Sequence, residues 1–271
     1  MKIIEEFIAG KRKEQSKCED GYIIKDNFIA VVDGVTAKGN HLWEGIYSSG
    51  CYAKNKILEY LKGNVEKQNA KELFANLSNV LKEAYFSEME EDIKVERLRA
   101  CIIVYNGFYN EIWSYGDLQC LIDGSFYQDN KEIDDIMAQK RIDVIKKAIN
   151  DGTTIDELIK NDIGRKAILK DIQKQFSCEN KKCKYGYPVI NGDEIVPEMI
   201  KKFFVPSDAE IVLASDGYPI LCKTLAESEK ELERVLKEDP LCISENPSTK
   251  GVQPGYSSFD DRTYVRFKVL V

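Results

Sequence analysis

Residues 28–34 read Phe28-Ile29-Ala30-Val31-Val32-Asp33-Gly34, and residues 211–217 read Ile211-Val212-Leu213-Ala214-Ser215-Asp216-Gly217. Each is an unbroken apolar run of strand length that stops at an Asp-Gly pair. Runs of this kind fit strands buried on both faces, and Asp-Gly supplies turn chemistry where a strand ends. The pattern recurs where Trp113-Ser114-Tyr115 is followed by Gly116-Asp117, and Asp260-Asp261 precedes an alternating stretch over 263–271. An acidic pair, Glu19-Asp20, stands before the first strand run. One Asp-Gly alone is an ordinary turn. Several strand ends carrying carboxylates bring like charges within a few Å, a repulsion that divalent cations relieve. Gly34, lacking a Cβ, leaves its own carbonyl free to turn toward such a cation.

The pattern around these runs sets the fold class. Strands are predicted over 22–24 and 28–32, joined by the turn Lys25-Asp26-Asn27, and helices over 43–61 and 70–86. Strands follow over 100–105, 110–114 and 118–122, the first two joined through Asn106-Gly107, a hairpin signal. From 130 to about 174 the chain reads as charged helix with breaks at Gly152 and Gly164. A strand over 209–214, a helix over 225–237 and a Pro/Gly loop over 240–258 complete the series. Strands in blocks separated by helices in blocks predict an α+β domain with antiparallel sheets packed by helices. One domain over 1–271 suffices, because a single core serves a chain of this length.

Composition narrows the chemistry. The single histidine, His41, excludes multi-histidine metal sites, and it reads as a surface residue at a helix start. With 46 Asp+Glu against 39 Lys+Arg, metal chemistry would rest on oxygen ligands, which suit Mg2+ or Mn2+ over zinc. The net charge of −7 leaves no basic face for a nucleic-acid backbone. There is no signal-peptide core and no apolar stretch of membrane-spanning length, so the expectation is a soluble, cytoplasmic protein with no membrane partner. The eight Cys are scattered, several within apolar runs, and read as free thiols. No G-x-G-x-x-G follows a strand, residues 34–40 lack the Lys-Ser/Thr ending of a phosphate loop, and residues 255–259 lack the closing Gly of a serine-hydrolase elbow.

Taken in order, Glu19-Asp20, Phe28–Gly34, Gly116-Asp117, Leu213-Ala214-Ser215-Asp216-Gly217 and Asp260-Asp261-Arg262-Thr263 resemble the motifs of the metal-dependent type-2C (PPM) protein serine/threonine phosphatases, as a divergent, bacterial-like member. The resemblance implies two stacked antiparallel sheets flanked by helix pairs, a four-layer α-β-β-α sandwich with two divalent cations in a cleft at one end. It implies that Asp33 bridges both cations and Gly34 lends its carbonyl, that Asp216 and Asp260 hold one, and that Glu19 and Asp20 hold the other. Asp117 with Asp216 would hold a third, weaker cation. Asp33, Asp216 and Asp260 are the implied catalytic residues.

The implied activity is hydrolysis of phosphoserine and phosphothreonine in a phosphorylated protein substrate, a signalling role. The alternatives are a pseudophosphatase acting as a regulatory or binding module, and a phosphatase of small phosphorylated metabolites. Where relatives carry a phosphate-gripping Arg this chain has Gln15, with Lys13 and Lys17 as its near cations; Lys250 and Arg262 are further candidates for that charge. Where many eukaryotic relatives carry a His after Asp-Gly, this chain has Val35. The charged stretch from about 124 to 184 falls where relatives carry a flap beside the active site.

Overall fold

The computed structural model describes residues 1–12, 14–129 and 131–270. Among the described residues ten strands form two five-stranded sheets, antiparallel throughout. The first sheet contains β2 (Asp20–Lys25), β3 (Phe28–Gly34), β4 (Ala100–Asn106), β5 (Glu111–Tyr115) and β8 (Lys201–Phe204), in that spatial order. The second contains β1 (Lys2–Ala9), β10 (Arg262–Lys268), β9 (Glu210–Ala214), β6 (Gln119–Ile122) and β7 (Ser125–Gln128). The α+β architecture of stacked antiparallel sheets with outer helices is therefore observed.

Side-chain alternation explains why the apolar runs are continuous. In β3, Ile29 and Val31 face the second sheet and pack with Cys101, Ile103, Leu213, Val265 and Phe267. Phe28, Ala30 and Val32 point the other way, against helices α1 (Ser49–Leu61) and α2 (Ala70–Phe86). Both faces of the strand are thus buried. Helix α2 starts at a capping box made by Asn69 and Glu72, and occupies the predicted range. Helix α1 starts at Ser49, six residues after the predicted beginning at Trp43, because Trp43 and Tyr47 close a tight turn through a backbone bridge.

The far face of the second sheet packs Val212, Ala214 and Tyr264 on Tyr218, Leu221 and Leu225, the last at the start of α6 (Leu225–Glu238). The stretch expected as a flap begins inside this sheet, since β7 pairs with β6. Helices α3 (Glu132–Asn150), α4 (Ile155–Lys160) and α5 (Ile163–Gln175) follow. They bury small apolar clusters of their own, Met137 with Ile168 and Ile172, and Ile145 with Leu158 and Leu241. Gly152 separates α3 from α4, whereas Gly164 lies within the first turn of α5, tight against Arg141; the break there falls at Asn161-Asp162 instead. His41 is half-buried, with Nε2 3.1 Å from Glu88 Oε2 and its ring edge-on to Trp43. It stands in a loop rather than at a helix start. Among the described residues no helix is long and apolar enough to cross a membrane.

The contact that seats α1 on the sheet involves two glycines. A Cβ on Gly50 would lie 2.3 Å from the Gly34 carbonyl oxygen, and one on Gly34 would lie 2.0 Å from that of Gly50. Alanine at Gly50 gains at most ~1 kcal/mol of helix propensity, against about 1–3 kcal/mol for overpacking where a backbone cannot yield. Gly50→Ala is therefore expected to lower stability in urea unfolding. A neutral or stabilising effect would show that this approach does not limit the fold.

Candidate metal centre

All the acidic motifs come to one end of the space between the sheets. Asp33 continues the inward-facing series Ile29, Val31 at the end of β3, opposite Asp20 of β2 in register. Asp216 follows β9 by two residues. Asp117 lies in the crossing from β5 in the first sheet to β6 in the second, where Gly116 adopts φ +128° against Cys101. That conformation is open only to glycine at little cost. Asp260 and Asp261 lead into β10.

Carboxylate oxygens of Asp33, Asp117 and Asp216 lie within 4.8 Å of one another. They form one side of a cavity of about 290 Å3, also lined by Glu19, Gly34 and Asp260. Enclosure in protein pushes the Asp33 carboxyl well above the ordinary carboxylate range, with Asp216, Asp20, Asp260 and Asp117 adding repulsion. Asp216 opens into the cavity, yet the surrounding protein, then Asp117 and Asp260, push it up to about 7. Burial works in the same direction on Asp117, but Lys131, 2.6 Å away, outweighs it and holds this carboxylate low.

Asp260 is placed differently from the expectation. It shares the cavity, but Lys11 Nζ is 2.6 Å from its Oδ1 and Lys250 pairs with its Oδ2. These cations overcome burial and hold Asp260 below the ordinary range. Lys11 also reaches Glu19 and Asp261, each at 3.3 Å. Glu19 accepts from Thr36 Oγ1 at 2.5 Å and from Ser48 Oγ at 2.7 Å. Asp20 lies outside the cavity lining, buried, and accepts from Thr263 Oγ1 at 3.1 Å. Asp261 is a structural brace, its two oxygens accepting from the backbone amides of Lys11 and Glu19.

The expected phosphate-binding residues separate. Gln15 and Lys17 are exposed and outside the cavity lining; Gln15 Oε1 accepts from the Gly10 amide and Lys17 pairs with Glu14. Arg262 is buried and committed to Glu229 through Nε and Nη2, at 2.7 and 2.8 Å. Lys13 lies outside the described residues. Lys250 lines the cavity, on a loop pinned by the helical segment. Arg141 Nη1 donates to the carbonyls of Cys242 and Ser248, and Arg165 Nη1 to that of Thr249. The cations Lys11, Lys38, Lys131 and Arg165 escape sequence reasoning: Lys11 and Arg165 meet the site through Asp260 and Thr249, far along the chain, whereas Lys38 and Lys131 sit near it in sequence among many other lysines.

An all-oxygen, acidic cluster with incomplete internal neutralisation fits a hard divalent cation. No protein-family model and no curated protein matches the chain. Among solved structures it is similar to the serine/threonine phosphatase PstP/Ppp of Mycobacterium tuberculosis, at 14% identity and TM-score 0.48, covering 99% of this chain and 100% of that one. It is also similar to the PPM Ser-Thr phosphatase MsPP of Mycobacterium smegmatis in complex with cacodylate (13%, 0.45, all of both chains). A third is RsbX in complex with magnesium (12%, 0.41, 98% of each).

The raised carboxyls carry a pH signature. Asp216 retains a proton that the unfolded chain releases, so its contribution to stability falls as pH rises from the ordinary carboxylate range to about 7, and Asp33, also raised, acts in the same direction. Asp117 and Asp260 act with the opposite sign, losing stability only as pH falls below that range. The metal-free thermal midpoint is therefore expected to drop between about pH 5 and pH 7.5, and Mn2+ to restore it at the upper end. Asp216→Asn should flatten the drop and raise the metal-free midpoint. A midpoint insensitive to both Mn2+ and this substitution would contradict the charge assignment.

Proposed function

We propose that this chain is a divalent-metal-dependent phosphoric monoester hydrolase of the type-2C (PPM) kind, acting on phosphoserine and phosphothreonine in proteins. The observation that carries the reading is the cluster of Asp33, Asp117 and Asp216, three carboxylates crowded at strand ends in one cavity. Their order along the chain, with Glu19-Asp20 and Asp260, supports the family assignment.

Asp33, Asp117 and Asp216 would hold the first Mn2+ or Mg2+. Glu19 and Asp260 would take part in a second site once Lys11 and Lys250 yield. Bound there, such cations supply charge neutralisation and Lewis-acid activation of water. The chain's own residues do the rest. The sheets fix the carboxylates on rigid strand ends, Lys131 keeps Asp117 ionised, and the 240–258 loop holds Lys250 against Asp260.

One observation favours a second reading. Asp260 already has two ammonium partners, so the chain carries internal countercharge where a catalyst of this kind would want a cation. A binding module that retains the fold would be served by that arrangement.

Mn2+-dependent hydrolysis of p-nitrophenyl phosphate and of phosphoserine and phosphothreonine peptides separates the two. The enzyme reading predicts turnover that Asp33→Asn and Asp216→Asn each lower by about 100-fold or more, roughly 2.7 kcal/mol of transition-state stabilisation. Metal binding without turnover on any of these substrates would favour the module.

A further inference from the structure

The cavity that holds the carboxylates is also lined by cations. Lys38 stands on the loop after β3, Arg165 in the first turn of α5 and Lys250 on the 240–258 loop. Lys250 is taken by Asp260. The other two are not taken: among the described residues, neither Lys38 nor Arg165 forms an ion pair with a carboxylate. Lys38 Nζ donates to the Thr36 carbonyl at 3.2 Å, and Arg165 Nη1 to the Thr249 carbonyl at 3.0 Å. These neutral acceptors orient the two side chains without cancelling their charge.

The cations also feel each other. Burial, followed by the charges of Arg165 and Lys250, pushes the Lys38 ammonium down to about 8. Burial also lowers the Arg165 guanidinium, against attraction from Asp162. Two like charges brought together in one cavity without a carboxylate partner repel, and an anion between them relieves that repulsion. In the same cavity Asp33 and Asp216 crowd negative charge, and among the described residues neither forms an ion pair with an ammonium. An anion that meets both halves has oxygens on one side for the cations and, through a divalent cation, oxygens on the other for the carboxylates. A phosphate monoester dianion is that anion.

We propose that Lys38 and Arg165 grip the phosphoryl oxygens of the substrate, supplying from a loop and from the helical segment the charge that Gln15 does not provide. This rests on the phosphatase reading for the identity of the substrate, but the anion site stands on its own geometry. Arg165, with Nη1 fixed on Thr249, presents the rest of its planar fork to the anion, and Lys38 adds a point charge. The helices over 132–175 thereby become part of the substrate site rather than a covering beside it.

Isothermal titration calorimetry with inorganic phosphate, with and without Mg2+, tests the proposal independently of turnover. Lys38→Gln with Arg165→Gln is expected to weaken phosphate binding by about tenfold or more in both conditions, as loss of charge-assisted bonds does. The Mg2+-induced rise in thermal midpoint should survive in the double variant. Arg165→Lys, which keeps the charge and loses the fork, should weaken binding less than Arg165→Gln; it also serves if the double variant does not fold. Phosphate binding that is unchanged in the folded double variant, or absent in the wild type at millimolar phosphate, would overturn the proposal. If the wild type binds phosphate through these residues yet turns over no ester, the anion site stands and the hydrolase reading fails.

Discussion

Mutual repulsion among Asp33, Asp117 and Asp216 is the constraint around which this end of the molecule is organised. Two like charges about 4 Å apart repel by roughly 4 kcal/mol at the effective dielectric of a protein site. Against a total stability of about 5–15 kcal/mol, three such charges cannot be carried uncompensated. The chain answers in part with lysines, Lys131 on Asp117 and Lys11 with Lys250 on Asp260. Asp33 and Asp216 are left to keep protons or to take a cation, and their raised carboxyls express that choice.

The fold creates the crowding. Two sheets packed through Ile29, Val31, Ile103, Leu213, Val265 and Phe267 bring the ends of β3 and β9, the start of β10 and the β5–β6 crossing to a common edge. Each strand buries enough apolar surface to hold its last residue in place, so the carboxylates cannot move apart to relieve their repulsion. The helical segment works at longer range. Arg141 and Arg165 pin the 240–258 loop, which sets Lys250, which in turn neutralises Asp260. Charge at the floor of the cavity is thus tied to structure at its rim.

Much of this was legible from residue order. Apolar runs ending in Asp-Gly are strong strand-end signals and supplied Asp33 and Asp216, while Asp117 came from the Gly-Asp that follows Trp113-Ser114-Tyr115. What stayed hidden has physical causes. Strand β1 alternates in burial, but its residues Ile3-Ile4-Glu5-Glu6 come in like pairs and hide that alternation, and β7 and β8 are short edges with exposed side chains. β7 and β8 pair on one side only and show little burial pattern. The Lys11–Asp260 pair spans 249 residues, beyond any periodicity, and Arg165 looks like one more charge on a polar helix. Arg262 misled in the opposite sense: beside Asp260-Asp261 in sequence, its side chain turns away to Glu229.

The most direct measurement is anomalous diffraction at the manganese edge from crystals of the wild-type chain grown at neutral pH with Mn2+. The account predicts an anomalous peak between Asp33, Asp117 and Asp216, with Asp117 turned from Lys131 to share it. Crystals saturated with Mn2+ that show no peak there, and that keep the Lys131–Asp117 pair intact, would contradict it.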